Sequence, residues 1–144
     1  MSDDPKSADD LVGRALSERE EGHFEQALDD LRAALEIDPE HIQAAGEYAI
    51  TLGQTGQLPE SLDVLSAALS RQPNDTWLLT NRAIAFGLSG DFEQSIQDFD
   101  RAVTLAPTDG MLLASRAETK RAMGNLKEAA EDFTNALQLD ASLI

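Results

Sequence analysis

Apolar residues return along this chain at steps of three and four. Phe92, Ile96, Phe99 and Val103 form one such run, and Leu105 extends it. Phe24, Ala27, Leu28, Leu31, Ala34, Leu35 and Ile37 form another, and Leu126, Ala129, Ala130, Phe133, Ala136, Leu137 and Leu139 a third. No segment alternates with period two, so the spacing predicts amphipathic helices and no sheet. The runs recur in register. Glycines stand at 22, 56, 90 and 124, prolines at 39, 73 and 107, and alanines at 34, 68, 102 and 136, each column spaced by 34 residues. Ala141 occupies the fourth proline slot. The repeats are therefore 8–41, 42–75, 76–109 and 110–143, preceded by residues 1–7, which are expected to form a disordered tail.

Each column has a physical role. A glycine between two amphipathic stretches takes the left-handed conformation that ends a helix. Glu25, Glu60, Glu93 and Glu128 follow in the first turns of the second helices, where the helix dipole favours acids. Proline is expected at the start of the next helix, where its missing N–H costs nothing, with Asp38 as N-cap before Pro39. Ser7-Ala8-Asp9-Asp10 has the form of a capping box, with aspartate in place of glutamate. No single helix pair buries its own apolar stripe, so successive pairs must stack.

The stretch from Gly90 to Pro107, GDFEQSIQDFDRAVTLAP, resembles the second helix of a tetratricopeptide repeat. The resemblance extends over residues 8–143. Repeat position 8 is Ala15, Ala49, Ala83 and Ala117. Position 20 is Ala27, Ser61, Ser95 and Ala129. Position 24 is Leu31, Leu65, Phe99 and Phe133, and position 27 is alanine throughout. It implies an all-α, right-handed superhelical solenoid of four helix-turn-helix repeats in a single domain. Two departures stand out. Leu11, Ala45, Leu79 and Leu113 replace the family's tryptophan at position 4. At the usually apolar position 11, Leu52 and Phe86 conform but Glu18 and Lys120 do not, which is expected of terminal repeats meeting water. Family members also often carry a further helix after the last repeat. Here the sequence stops one residue past repeat four, so Ala130, Phe133 and Leu137 are expected to lack a cover.

In this family the first helices line a concave groove. The resemblance implies a peptide-binding surface of Gly46, Ile50, Trp77, Thr80, Asn81, Ile84, Met111, Ala114 and Ser115. Gly87, Leu88, Glu118, Arg121 and Ala122 stand at further groove positions. Trp77, the only tryptophan, is either an exposed binding anchor or a half-buried cover on its own helix. The five-residue carboxylate clamp of co-chaperone members is absent. Its positions hold Gly46, Ile50, Asn81, Met111 and Ser115, of which only Asn81 matches. Without the clamp's lysines and arginine a carboxylate finds no charge-assisted hydrogen bonds. Arg82 and Arg116 are read as ordinary position-7 arginines.

Composition narrows the function. The net charge is −16, which excludes nucleic acid and anionic membrane surfaces as expected partners. Residues 8–41 carry a net −8, with 11 acids and 3 bases, and repeat four only −1. That acidity reads as a solubilising cap, or as a docking face for a basic partner that includes Asp29 and Asp30. There is no cysteine, hence no disulfide, thiol nucleophile or cysteine-ligated zinc. His23 and His41 have no second ligand at metal spacing, and no glycine-rich loop cradles a phosphate. No metal, cofactor or catalytic residue is expected. The start, MSDDPKSADD, has neither the basic nor the apolar region of an export signal, which points to the cytoplasm. The expected function is a protein-interaction adaptor that binds a peptide segment of a partner in the groove. Two alternatives are a secretion-type chaperone holding an export substrate there, and a self-assembly module pairing as a homodimer through Ala130, Phe133 and Leu137 of the last helix.

Overall fold

The computed structural model describes residues 5–140. Within them the chain forms eight α-helices: α1 (Ala8–Glu20), α2 (Phe24–Ile37), α3 (Ile42–Gln54), α4 (Leu58–Arg71), α5 (Thr76–Leu88), α6 (Phe92–Leu105), α7 (Gly110–Ala122) and α8 (Leu126–Leu139). The expected tail is described only from residue 5, and Ala141, Leu143 and Ile144 lie outside the described residues. The chain divides into two compact units, residues 1–72 with α1–α4 and residues 73–144 with α5–α8. Within each unit consecutive helices pack together, and the two first helices also touch, α1 on α3 and α5 on α7.

The turn inside each pair is the one the glycine column predicts. Gly22, Gly56, Gly90 and Gly124 all take φ between +81° and +87°. Behind each glycine the next N–H reaches back to a carbonyl five residues earlier: His23 to Glu18, Gln57 to Leu52, Asp91 to Phe86 and Asn125 to Lys120, at 2.8–2.9 Å. These bonds satisfy orphan carbonyls at the end of the first helix.

The turn between pairs differs from the sequence expectation. Pro39, Pro73 and Pro107 do not start helices. Each lies two residues past the end of one helix and three before the start of the next. Asp38 is the C-cap of α2, and its carboxylate accepts from the Glu40 N–H at 3.1 Å. Proline there stops the outgoing helix, because it has no N–H to continue the ladder. The N-caps form a further column 34 residues apart: Ser7, His41, Asp75 and Asp109. Each accepts from the N–H three residues on, at 3.0–3.1 Å. At Ser7 only half of the capping box closes, since the Asp10 carboxylate takes the Lys6 N–H instead.

Small residues set how closely the helices of a pair approach. Ala15, Ala49, Ala83 and Ala117 are buried on the first helices, and Ala27, Ser61, Ser95 and Ala129 on the second. The Ser61 and Ser95 hydroxyls donate across the pair to the carbonyls of Ala49 and Ala83, at 2.8 and 2.7 Å. In the first unit Leu11, Val12, Leu28, Leu31, Tyr48 and Leu52 complete the core. In the second, Leu78, Leu79, Phe99, Leu112 and Leu113 are buried.

Across three of the four pairs runs a two-pronged ion pair. Arg14 donates to both oxygens of Asp30 at 2.6–2.7 Å, Arg82 to Asp98 at 2.7–2.8 Å, and Arg116 to Asp132 at 2.8–2.9 Å. The repeat-two counterparts are Tyr48 and Val64, which lie in and against the apolar core. Position 11 is tied to the same pairs. Glu18 lies 3.3 Å from Arg14, Arg82 rests over the Phe86 ring at 5.8 Å, and Lys120 reaches Asp132 at 3.0 Å. The Glu18 and Lys120 side chains are only 17% and 13% exposed, so neither meets water as expected. Arg14 on the same helix and Asp132 on the following one take the place of solvent. Asp30 is buried as well and is no part of an acidic outer face.

These contacts shift the carboxyls. Burial alone would raise Asp132, but hydrogen bonds from Arg116 and Lys120 outweigh it and hold the group below the usual range. Asp30 is held low chiefly by its hydrogen bonds from Arg14. Glu18 goes the other way. Burial, reinforced by the Asp30 carboxylate, pushes it up to about 7. An unfolded glutamate titrates near 4.3, so the unfolded chain loses this proton first, and stability from Glu18 falls as pH rises from about 4.3 to about 7. Gln at this position keeps the shape and never ionises. Denaturant unfolding at pH 5 and pH 8 should therefore show Glu18→Gln gaining on the wild type toward pH 8. A difference between the two proteins that is equal at both pH values would refute the assignment.

Candidate functional site

The second unit carries a surface built by its two first helices. On α5, positions 77, 81, 84 and 88 are spaced to fall on one stripe, and on α7 positions 111, 115, 118 and 122 do the same. Their apolar members reach solvent: Trp77 is 37% exposed, Ile84 39%, Leu88 67% and Met111 58%. The stripe on α5 runs 11 residues from Trp77 to Leu88, a rise of about 16 Å.

Toward the C-terminal ends of α5 and α7 the surface opens into a cavity of about 320 Å³. Ile84, Gly87 and Leu88 of α5 line it, with Phe92 at the start of α6 and Ser115, Glu118, Thr119 and Ala122 of α7. Gly87 is the one lining residue without a side chain. A methyl placed on it would stand 3.4 Å from the hydroxyls of Ser95 and Thr119, in ordinary contact. At the rim, Glu118 is paired with Arg121 at 2.6 Å.

Seven of the nine expected peptide-binding residues lie in this unit. Trp77, Ile84 and Met111 are exposed, while Thr80, Asn81, Ala114 and Ser115 are half-buried. The Thr80 hydroxyl and the Asn81 amide donate to their own helix, to the carbonyls of Thr76 at 2.7 Å and Trp77 at 2.9 Å. The remaining two are on α3 of the first unit, where Gly46 is buried and Ile50 half-buried. The first-helix face there is bridged by charge: Arg19 of α1 pairs with Glu47 of α3 at 2.6 Å and donates to Thr51 at 3.1 Å. Of the nine, only Ile84 and Ser115 line the cavity. Phe92 and Thr119 were not among the sequence candidates at all.

On α8, Ala130 and Leu137 are exposed and Phe133 is half-buried. The matching residues of α2, Leu28, Leu31 and Leu35, are buried or half-buried, and so are Ile96, Phe99 and Val103 of α6. The described residues hold no group of three or more histidine, cysteine or acidic side chains placed to bind a metal ion. No helix among them is long and apolar enough to cross a membrane.

Tetratricopeptide-repeat profiles match residues 18–78, 50–110 and 112–143. No curated protein sequence matches the chain. Among solved structures, MamA 41-end from Desulfovibrio magneticus RS-1 is similar with a TM-score of 0.82 at 22% identity, over 94% of this chain and 77% of that one. A crystal structure of MamA is similar with a TM-score of 0.81 at 15% identity, over 96% and 81%. A tetratricopeptide repeat protein from Parabacteroides merdae ATCC 43184 gives 0.78 at 21% identity, over 95% of this chain and 55% of that one. At these identities the likeness is one of fold. The profiles, the 34-residue columns and the eight paired helices agree, and the chain belongs to the tetratricopeptide-repeat family.

Proposed function

We propose that this protein is an interaction scaffold that binds a peptide segment of a partner protein on the first-helix face of its repeats, with the α5–α7 surface as the main contact. The carrying observation is that apolar side chains stay exposed on that face beside an open cavity. Exposed aromatic and aliphatic residues around a concave site are the usual anchors of protein recognition. Trp77, Ile84, Leu88 and Met111 supply the anchors, while Thr80, Asn81, Ala114 and Ser115 keep the floor low.

Affinity capture from cell extract, read by mass spectrometry, tests the reading. Trp77→Ala together with Asn81→Ala should reduce the captured partner by about tenfold or more, because loss of one anchor aromatic costs about 2 kcal/mol. Helix content should not change, since Trp77 is exposed and Asn81 only half-buried. The control is Asp29→Lys with Glu36→Lys on α2, both exposed. Asp30 is unsuitable there because it holds Arg14. If the α2 control abolishes capture and the α5 variant does not, the acidic face is the docking surface. A single exported substrate in the capture would identify the secretion-chaperone form of the same activity.

A second reading rests on α8. Ala130 and Leu137 are more exposed than their counterparts on α2 and α6, and repeat four carries a net charge of only −1. Two copies approach through such a face without the repulsion that two −8 first repeats would meet, and a two-fold contact closes on itself. Phe133 is half-buried, so Leu137 is the better probe. Light scattering at rising concentration should show a dimer that Leu137→Glu returns to monomer. A wild type monomeric at high micromolar concentration contradicts this reading.

A further inference from the structure

The cavity beside Gly87 says what kind of segment the α5–α7 face takes. Gly87 is the next-to-last residue of α5 and has no left-handed φ, so no turn requires it. Glycine inside a helix is unfavourable relative to alanine, and here alanine fits, because the added methyl meets Ser95 and Thr119 at 3.4 Å. The helix thus forgoes a stabilising methyl at a position that lines the cavity with Ile84, Leu88, Phe92 and Ala122. Residues that are suboptimal for stability but shape a cleft are the mark of a binding function.

We infer that this cavity receives one bulky apolar side chain of an internal, basic, amphipathic segment of the partner, and that Gly87 sets the size of that side chain. This rests on the proposed function of the α5–α7 face. The apolar part follows from the lining, to which Ile84, Leu88, Phe92 and Ala122 contribute. The basic part follows from charge. The chain carries −16 and the second unit −5, with 11 acids and 6 bases. A field of that sign draws in basic segments and repels acidic ones. Glu118 at the rim is 56% exposed, and Arg121 is its only close cation in the second unit's described ion pairs. The segment is internal because no lysine or arginine stands at the groove positions that would hold a chain-terminal carboxylate.

A phage-displayed library of random 12-residue peptides, selected on the full chain, supplies the probes. Enriched sequences are synthesised and their affinities measured by fluorescence anisotropy. The expected peptides share one Leu, Ile, Phe or Met flanked by Lys or Arg, and bind equally well with an amidated C-terminus. Gly87→Ala should weaken them roughly tenfold, the scale of one misplaced methyl in an apolar pocket, while its melting temperature holds or rises. Gly87→Val should weaken them further. The paired readout separates ligand space from helix packing, because a glycine needed for packing would lose stability on gaining a methyl. Peptides that depend on Trp77 and Asn81 but not on Gly87 would overturn the cavity assignment and leave the face as the binding surface. Acidic peptides, or peptides that need a free C-terminal carboxylate, would overturn the stated chemistry. A selection yielding no peptide sensitive to either set of substitutions would overturn both readings.

Discussion

Everything in this molecule depends on how closely the two helices of a repeat approach. Alanine at position 8 faces alanine or serine at position 20, all eight buried. Larger side chains there would push the helices apart, and well-packed interiors do not absorb extra methylenes freely. The serine hydroxyls of repeats two and three then reach the facing carbonyls, and the arginine at position 7 reaches the aspartate at position 23. A buried ion pair adds little net stability over an apolar pair, although removing one partner alone costs roughly 3–5 kcal/mol. Repeat two illustrates the exchange, since Tyr48 and Val64 replace arginine and aspartate together.

Much of this was legible in the sequence because it is written in columns. Gly22, Gly56, Gly90 and Gly124 mark a backbone requirement that few residues other than glycine meet, so their spacing locates every inner turn. The prolines were read at the correct places but in the wrong role, since proline can follow a helix as readily as begin one. Glu18 and Lys120 were misread for a different reason. Periodicity assigns a polar residue to the solvent side, yet Glu18 packs beside Arg14 and the Asp30 carboxyl, and Lys120 reaches Asp132 on the next helix. Reading positions 7, 11 and 23 as one set reveals the pattern, because Arg with Asp and Tyr with Val change together. The binding face was legible only in part. Groove positions were taken from first helices alone, which omits Phe92 at the start of α6, and no column reports that a methyl is missing at Gly87.

The same columns leave one face available for the proposed binding. Packing positions fix the helices, and the stripe through Trp77, Ile84 and Leu88 stays in part exposed. A face built on helices keeps its shape when a partner arrives, so less of the interaction is spent on ordering. The two units use their first-helix faces differently. In the first, the Arg19–Glu47 pair spans α1 and α3. In the second, apolar residues remain open. That contrast is what supports the proposal of anchors on α5 and α7.

Site-specific photocrosslinking in living cells tests this placement most directly. A photoreactive residue at Leu88 or Met111 stands on the α5–α7 face, and one at the exposed Thr104 or Thr134 stands on a second helix of the same unit. The account predicts partner adducts from Leu88 and Met111 and none from Thr104 or Thr134. Adducts from Thr104 and Thr134, with none from Leu88 and Met111, would contradict it.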